Sequence, residues 1–387
     1  MSIIRNQALL DKIVPVLLCI ALFVPGTVCR AQERNYHMSG IYTYYVLDEQ
    51  KKEISICAID STEKKIIVPS ELDGYKVCTL GYESYAYDNY EGFQEMGGKM
   101  KEHMEELVIP PSVRTVWAFA FNDCKRLSKV SFPEGITLGY ASFSGCDNWK
   151  DIVLPYHTVC ENGSLSRYNT NTLQISNSIT GEQIFYGTIK KMILSVKKDT
   201  VFSLAVPWVS VTVKELISPK DVTKLMFNFS DGESRVEKLY VNGKQTKIEA
   251  NAEARLGYVA EGRVSFGEID TVEGAEAIRF AKKNKIKYRV KSTSTAQVKK
   301  VIRRKKADAF VHTWKKADTT ILSCRYDKKG KTWKKSSKKV STVYEIYGKM
   351  GKRGKYKQIG TTKEKKVRTK YKYVKVKPVN EWGVIVE

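Results

Sequence analysis

The chain has 387 residues, is 42% hydrophobic and 28% charged, and carries a formal net charge of +24. That length suits two or three domains, and that apolar content builds a real core, which excludes a disordered polyelectrolyte. The charge is concentrated: residues 280–387 hold 35 basic residues, 29 of them Lys, against 7 acidic ones, whereas the rest of the chain holds 31 against 35. Lysine is a hydrated point charge, so this basic third suits diffuse attraction to a polyanion better than the reading of base edges.

Taken in chain order, Arg5 and Lys12 precede an apolar run over 13–28, and Cys29-Arg30-Ala31 follows. A basic start, a short greasy middle and small residues before a cut predict a signal peptide over 1–31. The run is interrupted by Pro15, Pro25 and Gly26 and is shorter than the roughly twenty residues of a spanning helix. No other stretch has spanning length, so the mature protein is expected outside the cell or on its surface, with no integral membrane span. Six cysteines remain after the cut: Cys57, Cys78, Cys124, Cys146, Cys160 and Cys324. An even number in an exported chain invites a disulfide reading, but their sparse spacing favours buried thiols.

The segment "FNDCKRLSKVSFP" (121–133) returns twenty-two residues later as "FSGCDNWKDIVLP" (143–155). Phe, Cys and Pro hold their slots, while Leu127 and Val130 become Trp149 and Ile152. Upstream, "EELVIPPSVRTVWAFAF" (105–121) keeps the same register, and "KIIVPSELDGYKVCTLGYESY" (65–85) is a further copy. Each unit reads as one short strand, with alternate residues facing one side and a proline ending it, followed by a return segment. Neither part can bury its apolar face alone, so neighbouring units must stack into a solenoid with Phe121 and Phe143 inside. The pattern resembles the BspA-like leucine-rich repeat family of bacterial surface and secreted proteins. Residues 42–81 resemble the unit that opens such arrays. "GAEAIRFAKKNKIKYRV" (274–290) resembles a closing helix-plus-strand, with Ala275, Ile278 and Ala281 on one helical face and Asn284 as C-cap. Residues 156–262 match poorly. Their apolar runs, "MILSV", "LMFNFS" and "KLYVNG" among them, fit either degenerate repeats or a small inserted β-domain.

Residues 291–310 read as a basic linker. Residues 311–387 alternate β-rich runs with Gly and Lys turns and resemble a fibronectin type III domain, with Trp333 at that family's core tryptophan and Lys372 where an inward apolar residue is expected. The expected fold is therefore mainly β with short helices: a leucine-rich-repeat solenoid over 32–290, regular at 65–155, followed by a β-sandwich.

No motif calls for a cofactor or metal. His37, His103, His157 and His312 have no partners at ligand spacing, and no phosphate loop or nucleophile elbow occurs. The chain reads as a non-enzyme, a lesser alternative being a glycan- or peptide-processing enzyme whose carboxylates no spacing reveals. Two binding surfaces are expected. One is the insertion 82–104, where Tyr82, Tyr85, Tyr87, Tyr90 and Phe93 offer rigid amphipathic contact area. Its bland counterpart is a diverged repeat whose tyrosines are core. The other is a polyanion surface made of Arg303, Arg304, Lys305, Lys306, Lys370, Lys372, Lys375 and Lys377. Its bland counterpart is edge protection and solubility. The function expected is an adhesin or scaffold binding an extracellular protein or glycan through the repeat face. The alternative is electrostatic anchoring to an anionic cell-wall polymer or sulfated glycan. Specific nucleic-acid binding is not expected, since Trp314 and Trp333 read as core rather than as stacking platforms.

Overall fold

Alternation of inward apolar and outward polar residues, cut short by proline or glycine, produces strands too short to stand alone. Parallel stacking supplies the partners. The computed structural model describes residues 34–83, 96–166, 169–176, 178–180, 185, 187–195, 200–205, 211–228, 234–251, 264–294 and 301–382. The expected signal peptide, 1–31, lies outside the described residues, as do Tyr85, Tyr87, Tyr90 and Phe93.

The molecule is mainly β, with two short helices among the described residues, Met100–His103 and Ala277–Lys283. Along one flank, Lys65–Ile67, Glu106–Val108 and Lys129–Ser131 form one parallel ladder. A second begins at Asp151–Leu154 and runs through Asn169–Ile175, Gly187–Leu194, Val211–Ser218, Arg235–Val241 and Ser265–Val272 to Lys287–Thr293. The other flank is built of shorter strands between Glu53–Ile59 and Lys247–Asn251. The register carries an unbroken inward row through the long ladder: Ile152, Leu173, Met192, Leu216, Leu239, Ile269 and Tyr288 are successive partners. All seven are buried and belong to one apolar cluster that extends from Tyr44 to Cys324. The described strands between 156 and 262 therefore continue the solenoid rather than form an inserted domain. What these turns share is the alternation, not the residues.

Phe121 and Phe143 are both fully buried and stack with ring centroids 5.1 Å apart and an interplanar angle of 15°. They sit one coil apart, as the repeated wording requires. All six cysteines are buried as thiols. In the repeat slot, Cys146 donates through Sγ to the Phe121 carbonyl at 3.1 Å. Burial pushes the Cys160 thiol up to about 12, which leaves it protonated and unreactive at neutral pH.

The interval between Pro69 and Pro110, nearly two repeat periods, spans a single enlarged coil, because Lys65 pairs directly with Glu106. Within it Met96, Met100 and Met104 are buried in the core. At the first end, the antiparallel pair Tyr42–Asp48 and Glu53–Ile59 leads into the stack. Arg114 clamps this end, donating to both carboxylate oxygens of Glu53, at 3.1 and 2.9 Å, across the intervening strand Tyr75–Leu80. The bond to Arg114 holds the Glu53 carboxyl below its ordinary value. A depressed carboxyl stabilises above its unfolded pKa and ceases to as pH falls through the folded one. Arg114→Ala should therefore cost about 0.5–1 kcal/mol at pH 7. The difference from the parent should vanish in denaturant melts taken well below pH 4, under the ordinary glutamate value of about 4.3.

At the other end, Ala277 and Ala281 of the second helix are buried, and Asn284 caps it as expected. The strand Lys287–Thr293 crosses residue 290 and pairs antiparallel with Thr319–Asp327, which pairs with Thr332–Val340. This hairpin extends the repeat sheet and corrects the placement of Trp333. Trp333 lies against Tyr288 and Tyr326, with centroids at 5.3 and 5.4 Å, on the solenoid's last coil. The physical reason is local: Tyr288 needs cover, and Trp333 is the large apolar side chain of a strand otherwise Lys, Ser and Thr up to Val340 at its end. Trp314 takes the core place instead, edge-on to Tyr344 at 5.5 Å. Around it, Val301–Lys306, Ala309–Trp314 and Lys366–Thr369 form one three-stranded sheet. Tyr344–Lys349, Lys357–Thr362 and Tyr373–Pro378 form another. Trp314, Ala317, Tyr344, Ile346 and Val376 make a separate buried cluster there.

Candidate binding faces

The outward positions of the long ladder form rows set by the same register as the core. One row alternates in sign: Lys191, Glu215, Lys238, Glu268 and Lys287 are successive cross-strand partners. Opposite charges face each other at every step, which favours this pairing. The adjacent row reads Ile193, Ile217, Tyr240, Asp270 and Arg289. Its first three residues place apolar surface where alternation calls for polar side chains. Its last two form an ion pair. Arg289 donates through Nε to Asp270 at 2.7 Å and is ion-paired with Glu268 at 2.9 Å, with Asp270 fully buried. Burial pushes the Asp270 carboxyl up, and Arg289 opposes that shift.

Trp382 covers this second row. Its ring lies 6.1 Å from that of Tyr240, and the Arg289 guanidinium sits 4.9 Å from its centroid. Its backbone N–H donates to Asn242 Oδ1 at 2.6 Å, Asn242 Nδ2 donates back to its carbonyl at 2.9 Å, and its indole N–H donates to the Thr271 carbonyl at 2.7 Å. Lys291 donates to the Glu381 carbonyl at 2.7 Å, and burial pushes its ammonium down. Between this docked segment, the sheet face and the strand Tyr344–Lys349 lies a cleft of about 680 Å³ that Ile193, Ile217, Asn242, Tyr347, Lys377 and Trp382 help to line. Tyr347 donates to Glu345 at 2.7 Å, a bond that with burial pushes its phenol up to about 12.

Of the residues expected in the tyrosine loop, Tyr82 is described, and it stacks on Tyr45 at 6.4 Å. The two basic stretches meet where Arg303 donates to the Lys372 carbonyl at 3.2 Å and lies over the rings of Phe310 and Tyr373. Arg304, Lys305 and Lys306 are exposed on the sheet's outer strand, and Lys370 is exposed ahead of Tyr373–Pro378. Lys375 and Lys377 stand on the other three-stranded sheet, opposite Tyr347 and Glu345. These eight residues therefore make no single patch. The sequence reading missed the face that Trp382 covers. The signal for it was an apolar residue between two inward ones in three successive units, Ile193, Ile217 and Tyr240.

The histidines lie apart. His37 stacks on Tyr44, His157 sits in a turn, and buried His312 bonds through Nε2 to the Tyr371 carbonyl at 2.9 Å. Among the described residues no group of three or more His, Cys, Asp or Glu could hold a metal ion, and no helix is long and apolar enough to cross a membrane.

Residues 99–202 match the family model of the BspA type leucine rich repeat region, in six copies. No curated protein matches the chain. Among solved structures the chain is similar to a leucine-rich repeat protein from Bacteroides ovatus, at 16% identity and TM-score 0.32, covering 61% of this chain and 70% of that one. A leucine rich repeat protein of T. pallidum aligns at 16% identity and TM-score 0.32, over 46% and 86%. A leucine rich cell surface protein from Faecalibacterium prausnitzii aligns at 11% identity and TM-score 0.36, over 63% and 72%. Over residues 99–202, then, the chain is similar to the BspA type of leucine rich repeat.

Proposed function

We propose that this is an exported surface or secreted interaction protein, directed outward by residues 1–31, that binds an extracellular protein or glycan through its repeat face without chemistry. The observation that carries the reading is the outward face of the long ladder. Its two rows each run across five parallel strands, and beside the charged row runs one that starts apolar and already holds an aromatic side chain. Such a surface recognises by complementarity: apolar anchors flanked by charges that set register. The C-terminal pair of three-stranded sheets, closed over Trp314 and Tyr344, fits a fibronectin type III-like sandwich serving as a spacer against that face.

The test uses the whole chain, because a cut at residue 290 would sever the strand Lys287–Thr293. Wild type and a Lys191→Ala, Lys238→Ala variant are each offered extracellular proteins and a glycan panel. A ligand retained by the first and lost by the second supports the reading. Equal capture by both, or no capture at all, sinks it.

The second reading is electrostatic anchoring to an anionic polymer. The excess of lysine in residues 280–387 favours it, and attachment of this kind is released by salt.

A further inference from the structure

The closing end of the repeat sheet gathers cations that the sequence reading did not single out. Tyr288 pairs with Cys324 on the inward side. One step away, Arg325 stands directly opposite Lys334 on the outward side, beside Lys287 of the neighbouring strand. Like charges directly opposite each other on a sheet destabilise it. Lys285 reaches the same place from the turn after the second helix, and Lys328 and Lys329 reach it from the hairpin turn. These six line a hollow of about 490 Å³. Two carboxylates serve them: Glu268 pairs with Lys287, and Asp327 pairs with Lys334 at 2.7 Å. The Lys285 ammonium lies over the Tyr326 ring, 5.3 Å from its centroid. Arg325, Lys328 and Lys329 are exposed, and among the described residues no carboxylate pairs with them.

Edge protection explains lysines on a last strand, and it covers Lys335, Lys338 and Lys339. It does not reach Lys287 and Arg325, which stand on interior strands. Nor does it reach Lys285, which holds a backbone φ of 56° that glycine adopts more readily.

We propose that this hollow binds a polysaccharide bearing closely spaced anionic ester groups, sulfate or phosphate. One such group sits among Lys285, Arg325, Lys328 and Lys329, and the chain continues along the hairpin past Lys338, which shares the outward face with Lys334. The inference deepens the electrostatic reading and rests on it. Lysines outnumber arginine five to one in the hollow, which suits tetrahedral charges on a flexible chain rather than bidentate base recognition. The one nearby ring, Tyr326, has Lys285 over it and Trp333 at 5.4 Å, so successive bases find no stacking platform.

The test measures binding of the whole chain to heparin, to a polyglycerol phosphate polymer and to single-stranded DNA across a salt series. Three proteins are compared: wild type, an Arg325→Ser, Lys328→Ser, Lys329→Ser variant, and an Arg303→Ser, Arg304→Ser, Lys305→Ser, Lys306→Ser variant. Wild type should bind heparin or the phosphate polymer more tightly than DNA, and the polymer preferred identifies the ester. The hairpin variant should lose about tenfold in affinity at physiological salt, with the log–log salt slope reduced by about two. The other variant should lose less. An Arg325→Lys, Lys328→Arg, Lys329→Arg variant should bind as wild type does, which separates charge from misfolding. If wild type binds but only the 303–306 variant loses affinity, this site is wrong and the electrostatic reading stands. If wild type binds neither heparin nor the phosphate polymer, both fall. Preference for DNA overturns the assignment to a polysaccharide.

Discussion

Replacing Phe143 with alanine is expected to lower unfolding stability by about 3–5 kcal/mol, read as a drop in the denaturant midpoint. Phe143 is fully buried and meets three rings at once: Phe121 at 5.1 Å, Phe132 at 5.6 Å and Trp149 at 5.5 Å. It therefore loses both transfer energy and aromatic contacts when truncated, and it leaves a void between coils that cannot collapse without shifting the strands on either side. Phe143→Leu should recover most of the loss, because volume rather than ring chemistry dominates such a site. A loss below 1 kcal/mol in the alanine variant would mean that the two rings do not bridge successive coils.

The second large effect belongs to Trp382. Its truncation to alanine should weaken the hold of the C-terminal sheets on the repeat face by about 2 kcal/mol, as for an aromatic anchor at an interface. The side chain packs against the cluster of Ile193, Ile217 and Tyr240, and its backbone exchanges two hydrogen bonds with Asn242. The global fold should survive, because the solenoid's own core lies on the other side of that sheet. The expected signature is therefore local. Amide exchange should quicken in the strands Val211–Ser218 and Arg235–Val241, and small-angle scattering should show a larger radius of gyration. Unchanged exchange and an unchanged radius would show that other contacts hold the two parts together. Asn242→Ala should reproduce part of the effect, since it removes both reciprocal bonds.

The regular coils were legible because they reuse side chains of one shape in one slot: Phe at 121 and 143, Cys at 124 and 146, Pro at 133 and 155. Between 156 and 262 the slot asks only for something apolar, so Leu173, Met192, Leu216, Leu239 and Ile269 serve equally and the repeated spelling disappears while the stacking persists. The hairpin Thr319–Val340 was misplaced for a different reason. Its second strand has almost no apolar period and is held by backbone ladder bonds to its neighbour, which leave no mark on composition. That Arg303 would meet Lys372 depends on packing between sheets, which no local pattern encodes. The docking of Trp382 is a contact over 140 residues of chain with Asn242, made by one indole that nothing in its own neighbourhood distinguishes.

The row of alternating sign on the long ladder has a bearing on how such an array can change length. Excising the coil that carries Glu215 would set Lys191 beside Lys238, two ammonium groups one strand apart. Excising that coil together with the next would set Lys191 beside Glu268 and restore attraction. Over this part of the molecule parity is thus written into the surface: gain or loss of coils by unequal recombination is penalised when odd and tolerated when even.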